Sequence, residues 1–310
     1  MPLFLVFLCI PLMGFDLSNP SVPREEIRAG GPPKDGIPAL TDPKVIPQQK
    51  ATYLDDADRV LGIVIAGEAR AYPLRILNWH EIVNDTLNEV PFVVTYCPLC
   101  GTGMVFKASQ NKNQRDFFGV SGLLYNSDVL LYDKKTESLW SQIGKKAISG
   151  KRKGEELTIL PATHTTWSDW STRFPDTTVL SLDTGYRRDY SRDPYSGYER
   201  SRKLYFPVRN KDNRFHPKDW VAGVIFNGKA KAYPFNELKK LNTTQGSFTD
   251  TIGGVPLTIS YDLSHRTLTV KDASGSEVPN TQSFWFAWAA FHPETSIFDA
   301  SLIIKKDGEK

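Results

Sequence analysis

The feature that most constrains this chain is a motif it contains twice. Val60-Leu61-Gly62-Ile63-Val64-Ile65-Ala66-Gly67-Glu68-Ala69-Arg70-Ala71-Tyr72-Pro73 aligns without a gap on Val221-Ala222-Gly223-Val224-Ile225-Phe226-Asn227-Gly228-Lys229-Ala230-Lys231-Ala232-Tyr233-Pro234. Each string reads as a hairpin: a β-branched run, a two-residue Ala-Gly or Asn-Gly turn, and a return strand alternating charged and apolar residues. Proline then ends the return strand, because it cannot extend a sheet ladder. The likeness resumes downstream. Asn84-Asp85-Thr86-Leu87 through Val90-Pro91-Phe92-Val93-Val94-Thr95-Tyr96 matches Thr249-Asp250-Thr251-Ile252 through Val255-Pro256-Leu257-Thr258-Ile259-Ser260-Tyr261, with a four-residue insertion in the second copy between the blocks. Two copies are too few for a solenoid, so two similar β units should pack together.

Between the copies lie further short strands, at Phe117 to Val120, Val129 to Tyr132, Leu157 to Leu160 and Thr178 to Leu182. A short helix over Trp167 to Thr172 is capped by Thr165-Thr166 and stopped before Pro175. Phe284 to Phe291 is apolar all round and reads as a buried segment, helix or strand. The expected fold class is therefore α+β and β-rich. It has two related hairpin-containing repeat units (55–106 and 217–270) and an inserted β/short-helix segment (111–215), within one compact domain over 55–304. Residues 16–54 form a Pro/Gly-rich arm, dense in turn chemistry from Gly30 to Pro38. It reads as an ordered arm, as a loop covering a site, or as a flexible linker.

Pro2 to Phe15 is apolar and uncharged. It is shorter than the ~20 residues that span a bilayer, and Ser18-Asn19-Pro20 follows directly. A signal peptide over 1–15 is expected, although no Lys or Arg precedes it. That places the mature protein in the periplasm or outside the cell, with no stable membrane span. Cys9 would leave with the leader. A formal charge of +3, with basic residues in scattered clusters, points away from a nucleic-acid partner.

Cys97 and Cys100 then remain as the only thiols of the 310-residue chain, too few for a disulfide framework. Aligning the copies on Tyr96 and Tyr261 sets Cys97 opposite Asp262 and Cys100 opposite His265. Continuing the first block ungapped sets His80 opposite Leu241 and Glu81 opposite Asn242. The repeated unit does not need the thiols, so they mark a site added to one copy. Cys97-Pro98-Leu99-Cys100-Gly101 is a metal knuckle in form: proline pre-sets the turn, glycine lets the chain leave with positive φ, and two thiolates converge on one ion. The remaining ligands must come from elsewhere. His80 is the first candidate and His292 the next, ahead of His164 and His265, while His216 reads as a loop residue. Glu81 and Asp85 are placed to orient the His80 ring. Thiolate with imidazole suits zinc or copper, and iron after them.

Competing readings are a structural Cys97–Cys100 disulfide, a thiol-disulfide redox pair, and a catalytic cysteine with His80 as base. The expected function is an exported metal-binding protein engaged in metal handling or metal-dependent catalysis. The alternatives are a non-metal interaction module with the disulfide, or a redox protein. Tyr125-Asn126-Ser127-Asp128 and Thr136 to Gln142 offer a substrate groove, but a β-turn and a half-wet strand explain them more simply. Arg187-Arg188-Asp189-Tyr190 and Asp193-Pro194-Tyr195 offer an anion contact, against ordinary surface ion pairing.

Several blocks together resemble a known family: Gly30 to Pro38, Arg70-Ala71-Tyr72-Pro73, His80-Glu81-Ile82-Val83-Asn84-Asp85, Tyr96-Cys97-Pro98-Leu99-Cys100-Gly101-Thr102, Ser121 to Asp128, and Glu137 to Gln142. It is a prokaryotic domain-of-unknown-function family marked by the Tyr-Cys-Pro-Leu-Cys-Gly-Thr stretch. The resemblance covers nearly the whole chain after the leader. It implies a bacterial or archaeal source and a single family-wide unit, and supplies no activity or catalytic residue.

Overall fold

Both copies open with a hairpin whose turn geometry follows from its sequence. A computed structural model describes residues 14–111 and 114–308. In it, β1 (Arg59–Ile65) pairs antiparallel with β2 (Glu68–Pro73) across Ala66-Gly67, and both turn residues have positive φ (49° and 86°). The helix α1 (Leu74–His80) and strands β3 (Ile82–Leu87), β4 (Val90–Cys97) and β5 (Thr102–Lys107) follow. After them come β6 (Phe118–Tyr125), β7 (Asp128–Asp133), β8 (Leu139–Ser141) and β9 (Lys146–Ser149), then β10 (Thr163–Thr166), α2 (Trp167–Arg173) and β11 (Thr178–Leu180).

The second copy is built alike. β12 (Trp220–Phe226) and β13 (Lys229–Pro234) turn at Asn227-Gly228, again with positive φ (47° and 71°). Then come α3 (Phe235–Leu238), β14 (Gln245–Ile252), β15 (Val255–Asp262), β16 (Thr267–Lys271), β17 (Asn280–Phe284), α4 (Trp285–Phe291) and β18 (Ser296–Ile297). Primed turns suit the right-handed twist of the flanking strands, which is why Asn-Gly and Ala-Gly hold the register here.

The chain is β-rich, with five small sheets arranged as a five-bladed propeller. This is more specific than the α+β expectation, because the helices are single short elements that cap strands and form no layer. The repeat also reaches further than the sequence alignment did. β10, α2 and β11 lie inside the segment read as an insert, yet β10 pairs antiparallel with β1 and β11 parallel with β2. β17 and β18 make the same two pairings with β12 and β13. In each copy a helical tryptophan covers the glycine of the first strand. A Cβ on Gly62 would sit 2.2 Å from the Trp170 ring, and one on Gly223 would sit 2.1 Å from the Trp288 ring. Each indole N–H donates to a threonine, Thr177 at 2.9 Å and Thr295 at 3.0 Å. Thr166 caps α2 through the Asp169 N–H, as expected. The apolar block 284–291 resolves into a strand end followed by a helix.

The second blocks also agree. Asp85 Oδ2 accepts from Arg70 (2.8 Å) and from the Tyr72 hydroxyl (2.6 Å), and Asp250 Oδ2 accepts from Lys231 (2.6 Å) and Tyr233 (2.8 Å). Asp85 therefore serves the repeat and does not orient His80, which corrects that expectation. Its side chain is 6% exposed against 17% for Asp250. Asp85→Asn is expected to cost about 1–3 kcal/mol in urea unfolding, and more than Asp250→Asn, because a buried group left unmatched is the more costly.

The arm is ordered. Strand 27–29 pairs with β6, strand 40–41 with β3 and strand 45–47 with β11. The apolar leader up to Met13, Cys9 with it, lies outside the described residues. Among the described residues no helix is long and apolar enough to cross a membrane.

Candidate metal centre

The knuckle links β4 to β5, and the Cys100 N–H closes its turn on the Cys97 carbonyl at 3.1 Å. Gly101 leaves with φ +63°, and Arg266 holds the equivalent conformation in the second copy at +45°. The second copy also grips the first. The Phe284 N–H donates to the Cys100 carbonyl at 2.8 Å, and Trp220 lies so near Gly101 that a Cβ there would meet it at 2.6 Å. Both thiols are free and buried.

The third member of the site comes from another sheet. Asn126 and Ser127 form the β6–β7 turn with φ of +51° and +66°, which aims the Ser127 carbonyl at the thiols, 3.3 Å from Cys100 Sγ and 3.8 Å from Cys97 Sγ. Asp128 follows as the first residue of β7. A ligand atom from each of Cys97, Cys100 and Asp128 lies within 4.8 Å of the others, and all three residues are buried. Asp128 Oδ2 accepts the Ile143 N–H at 3.0 Å, whereas Oδ1 is buried without a hydrogen-bond partner.

Burial sets the electrostatics. It pushes Asp128 up to about 7 and raises both thiols, Cys100 the more strongly. Glu81 is pushed up to about 8 by burial first and by the Asp128 charge second. Removing a charge from water favours its neutral form, so burial biases these groups toward their protonated forms. Tyr198 belongs to the same apolar cluster as both cysteines, and Tyr195 packs against that cluster. A cleft of about 310 Å³ lies above Pro98, walled by Tyr96, Tyr195, Tyr198 and Trp220.

Among the described residues no histidine joins this group. His80, expected as the third ligand, is buried with both ring nitrogens engaged: Nδ1 with the Pro38 carbonyl at 2.7 Å and Nε2 with the Tyr190 hydroxyl at 2.6 Å. A carbonyl only accepts, so Nδ1 carries the proton and Nε2 accepts from Tyr190. His80 thus ties the arm to the 184–190 loop, and Asp128 stands where an imidazole was expected. His292 packs on Trp288, with ring centroids 4.2 Å apart, and is lowered to about 4 by burial and by Lys145. His164 is lowered to about 3 by burial and then by Arg59 and Arg266. His265 Nδ1 meets Thr166 at 2.7 Å, and His216 Nδ1 accepts the Lys218 N–H at 3.1 Å.

Asp128 was within reach of the sequence. It opens a strand whose next four residues, Val129-Leu130-Leu131-Tyr132, are all buried, so its own burial follows from the strand. What the sequence does not show is the crossing of β7 behind the knuckle.

The family model described as "Protein of unknown function (DUF3179)" matches residues 34–295, and the chain belongs to that family. No curated protein and no solved structure matches the chain.

Proposed function

We propose that this is an exported metal-binding protein whose Cys97, Cys100 and Asp128 hold one zinc ion. The observation that carries the reading is the Asp128 carboxyl. It is fully buried, fixed by the Ile143 N–H on one oxygen, unpartnered on the other, and set against two thiols. A buried carboxyl with an unmatched oxygen costs stability unless a cation or donor meets it, and a divalent ion among the three meets it. Two thiolates with a hard carboxylate oxygen suit zinc better than a purely thiophilic copper site. The burial of both thiols and their raised pKa values run against a redox or nucleophilic cysteine, which needs an exposed, low-pKa thiolate. A centre this deep fits a resident ion rather than one handed on from the surface. Export rests on the apolar leader.

The direct test is metal analysis of protein purified without chelators, where one equivalent of zinc per chain is expected. Zinc displaces the protons of both thiols and of Asp128, so the apparent affinity should rise with pH, by about tenfold per unit for each proton released. The metal-free protein should show the opposite trend in stability. The folded value of Asp128, about 7, lies above its ordinary 3.8. Its contribution is complete below the ordinary value and lost as pH rises through the folded one. Chelated protein should therefore melt progressively lower from about pH 4 to about pH 7, while the zinc form holds its melting temperature. Absence of zinc together with a Cys97–Cys100 disulfide in the purified protein would overturn the reading.

A further inference from the structure

The three-residue group leaves a tetrahedral ion one ligand short, and the backbone beside it carries an unusual residue. Glu81 closes α1 with φ +57° and ψ −33°, a conformation that side chains other than glycine rarely adopt. The residue opposite it in the second copy, Asn242, closes the 3₁₀ turn (Lys239–Leu241) that follows α3, with φ +57° and ψ +22°. There the chain uses asparagine, a type that tolerates the left-handed region. The first copy places a buried glutamate at the same turn, in the more strained form. Strain of this kind persists where the surrounding structure holds it, and it gathers at functional sites.

The position of Glu81 gives the strain a purpose. Its carbonyl accepts the Tyr96 N–H at 2.7 Å, which fixes it across from the residue before Cys97. Its carboxyl is coupled electrostatically to Asp128 and Cys97. We propose that Glu81 is the fourth ligand of the ion held by Cys97, Cys100 and Asp128, an inference that rests on the metal reading above. Glu81 is not a member of the group whose ligand atoms lie within 4.8 Å of one another, so coordination requires its carboxyl to move toward the ion. Two thiolates and two carboxylates leave a divalent site net negative. A buried cation stands ready to offset that: Lys218, beside Cys100, is 3% exposed, with its ammonium 3.8 Å from the Tyr198 ring centre and held by the Ser201 and Lys203 carbonyls.

The test compares wild type with Glu81→Asn and Glu81→Gln, using zinc itself in competition with a chromogenic chelator and cobalt(II) absorption as a report on the ligand sphere. Both variants are expected to take one equivalent, with affinity lowered at least about tenfold and with an altered cobalt band. Glu81→Asn should fold, because the second copy folds with asparagine at this turn, and Glu81→Gln preserves side-chain volume. Wild-type affinity and an unchanged cobalt spectrum in both variants would overturn the assignment and leave a water as the fourth ligand. A wild-type protein that takes no zinc would instead remove the metal reading itself.

Discussion

Replacing Cys100 by serine is expected to abolish stoichiometric zinc binding, from one equivalent per chain to none, while the β fold persists. The thiolate is the stronger of the two donor types in the group, and a serine hydroxyl does not ionise near neutral pH to take its place. The turn itself does not depend on sulfur. It is held by the Cys100 N–H to the Cys97 carbonyl and by the Phe284 N–H to the Cys100 carbonyl, both of which serine preserves. The second copy supplies an internal control, since its equivalent turn closes with His265 in place of the cysteine. Metal analysis reads the loss and circular dichroism reads the fold. One equivalent of zinc retained by the serine variant would place the ion elsewhere.

Gly223→Ala and Gly62→Ala are expected to produce the largest losses of stability. Neither glycine is needed for positive φ; what they provide is space. A methyl group on either would lie inside the van der Waals envelope of an indole. Neither indole can retreat easily, because Trp288 and Trp170 are fully buried and each donates to a threonine. Overpacking of a pinned aromatic should cost about 3 kcal/mol or more, which is about 6–12 °C in melting temperature for a domain of this size. Gly67→Ala is the comparison: its Cβ would meet nothing within 4 Å, so only the turn conformation is strained. A Gly223→Ala protein that melts within a degree of wild type would show that the tryptophan is free to move.

The hairpins, their turns and the pairing of Glu81 with Asn242 were legible because they are local: turn type and strand alternation are set within a few residues. The ungapped alignment even placed both helix-closing residues correctly. What stayed hidden is what the chain brings together over long separations. β10, α2 and β11 rejoin the first copy after β6 to β9 have intervened, and the likeness to their counterparts β17, α4 and β18 is confined to a short string, Trp-x-x-Trp followed at matched spacing by Pro175-Asp176-Thr177 or Pro293-Glu294-Thr295. The site divides in the same way. The knuckle announced itself through proline, glycine and two thiols. His80 is near the knuckle in sequence but not joined to it in space, because its nitrogens are committed to Pro38 and Tyr190. Asp128 reaches the thiols only because two sheets pack face to face, which no spacing rule encodes.

The hydrogen bond from Phe284 to the knuckle carries a consequence for the order in which the molecule is made. By the time residue 128 has left the ribosome, both thiols and Asp128 have been synthesised. The strand that clamps the knuckle, and the Trp220 ring that seats Gly101, belong to the last third of the chain. A growing polypeptide therefore lacks both of these contacts to the knuckle until those residues have been made. Only the completed chain closes the pocket. On the zinc reading proposed above, tight binding is therefore deferred to the completed and folded chain.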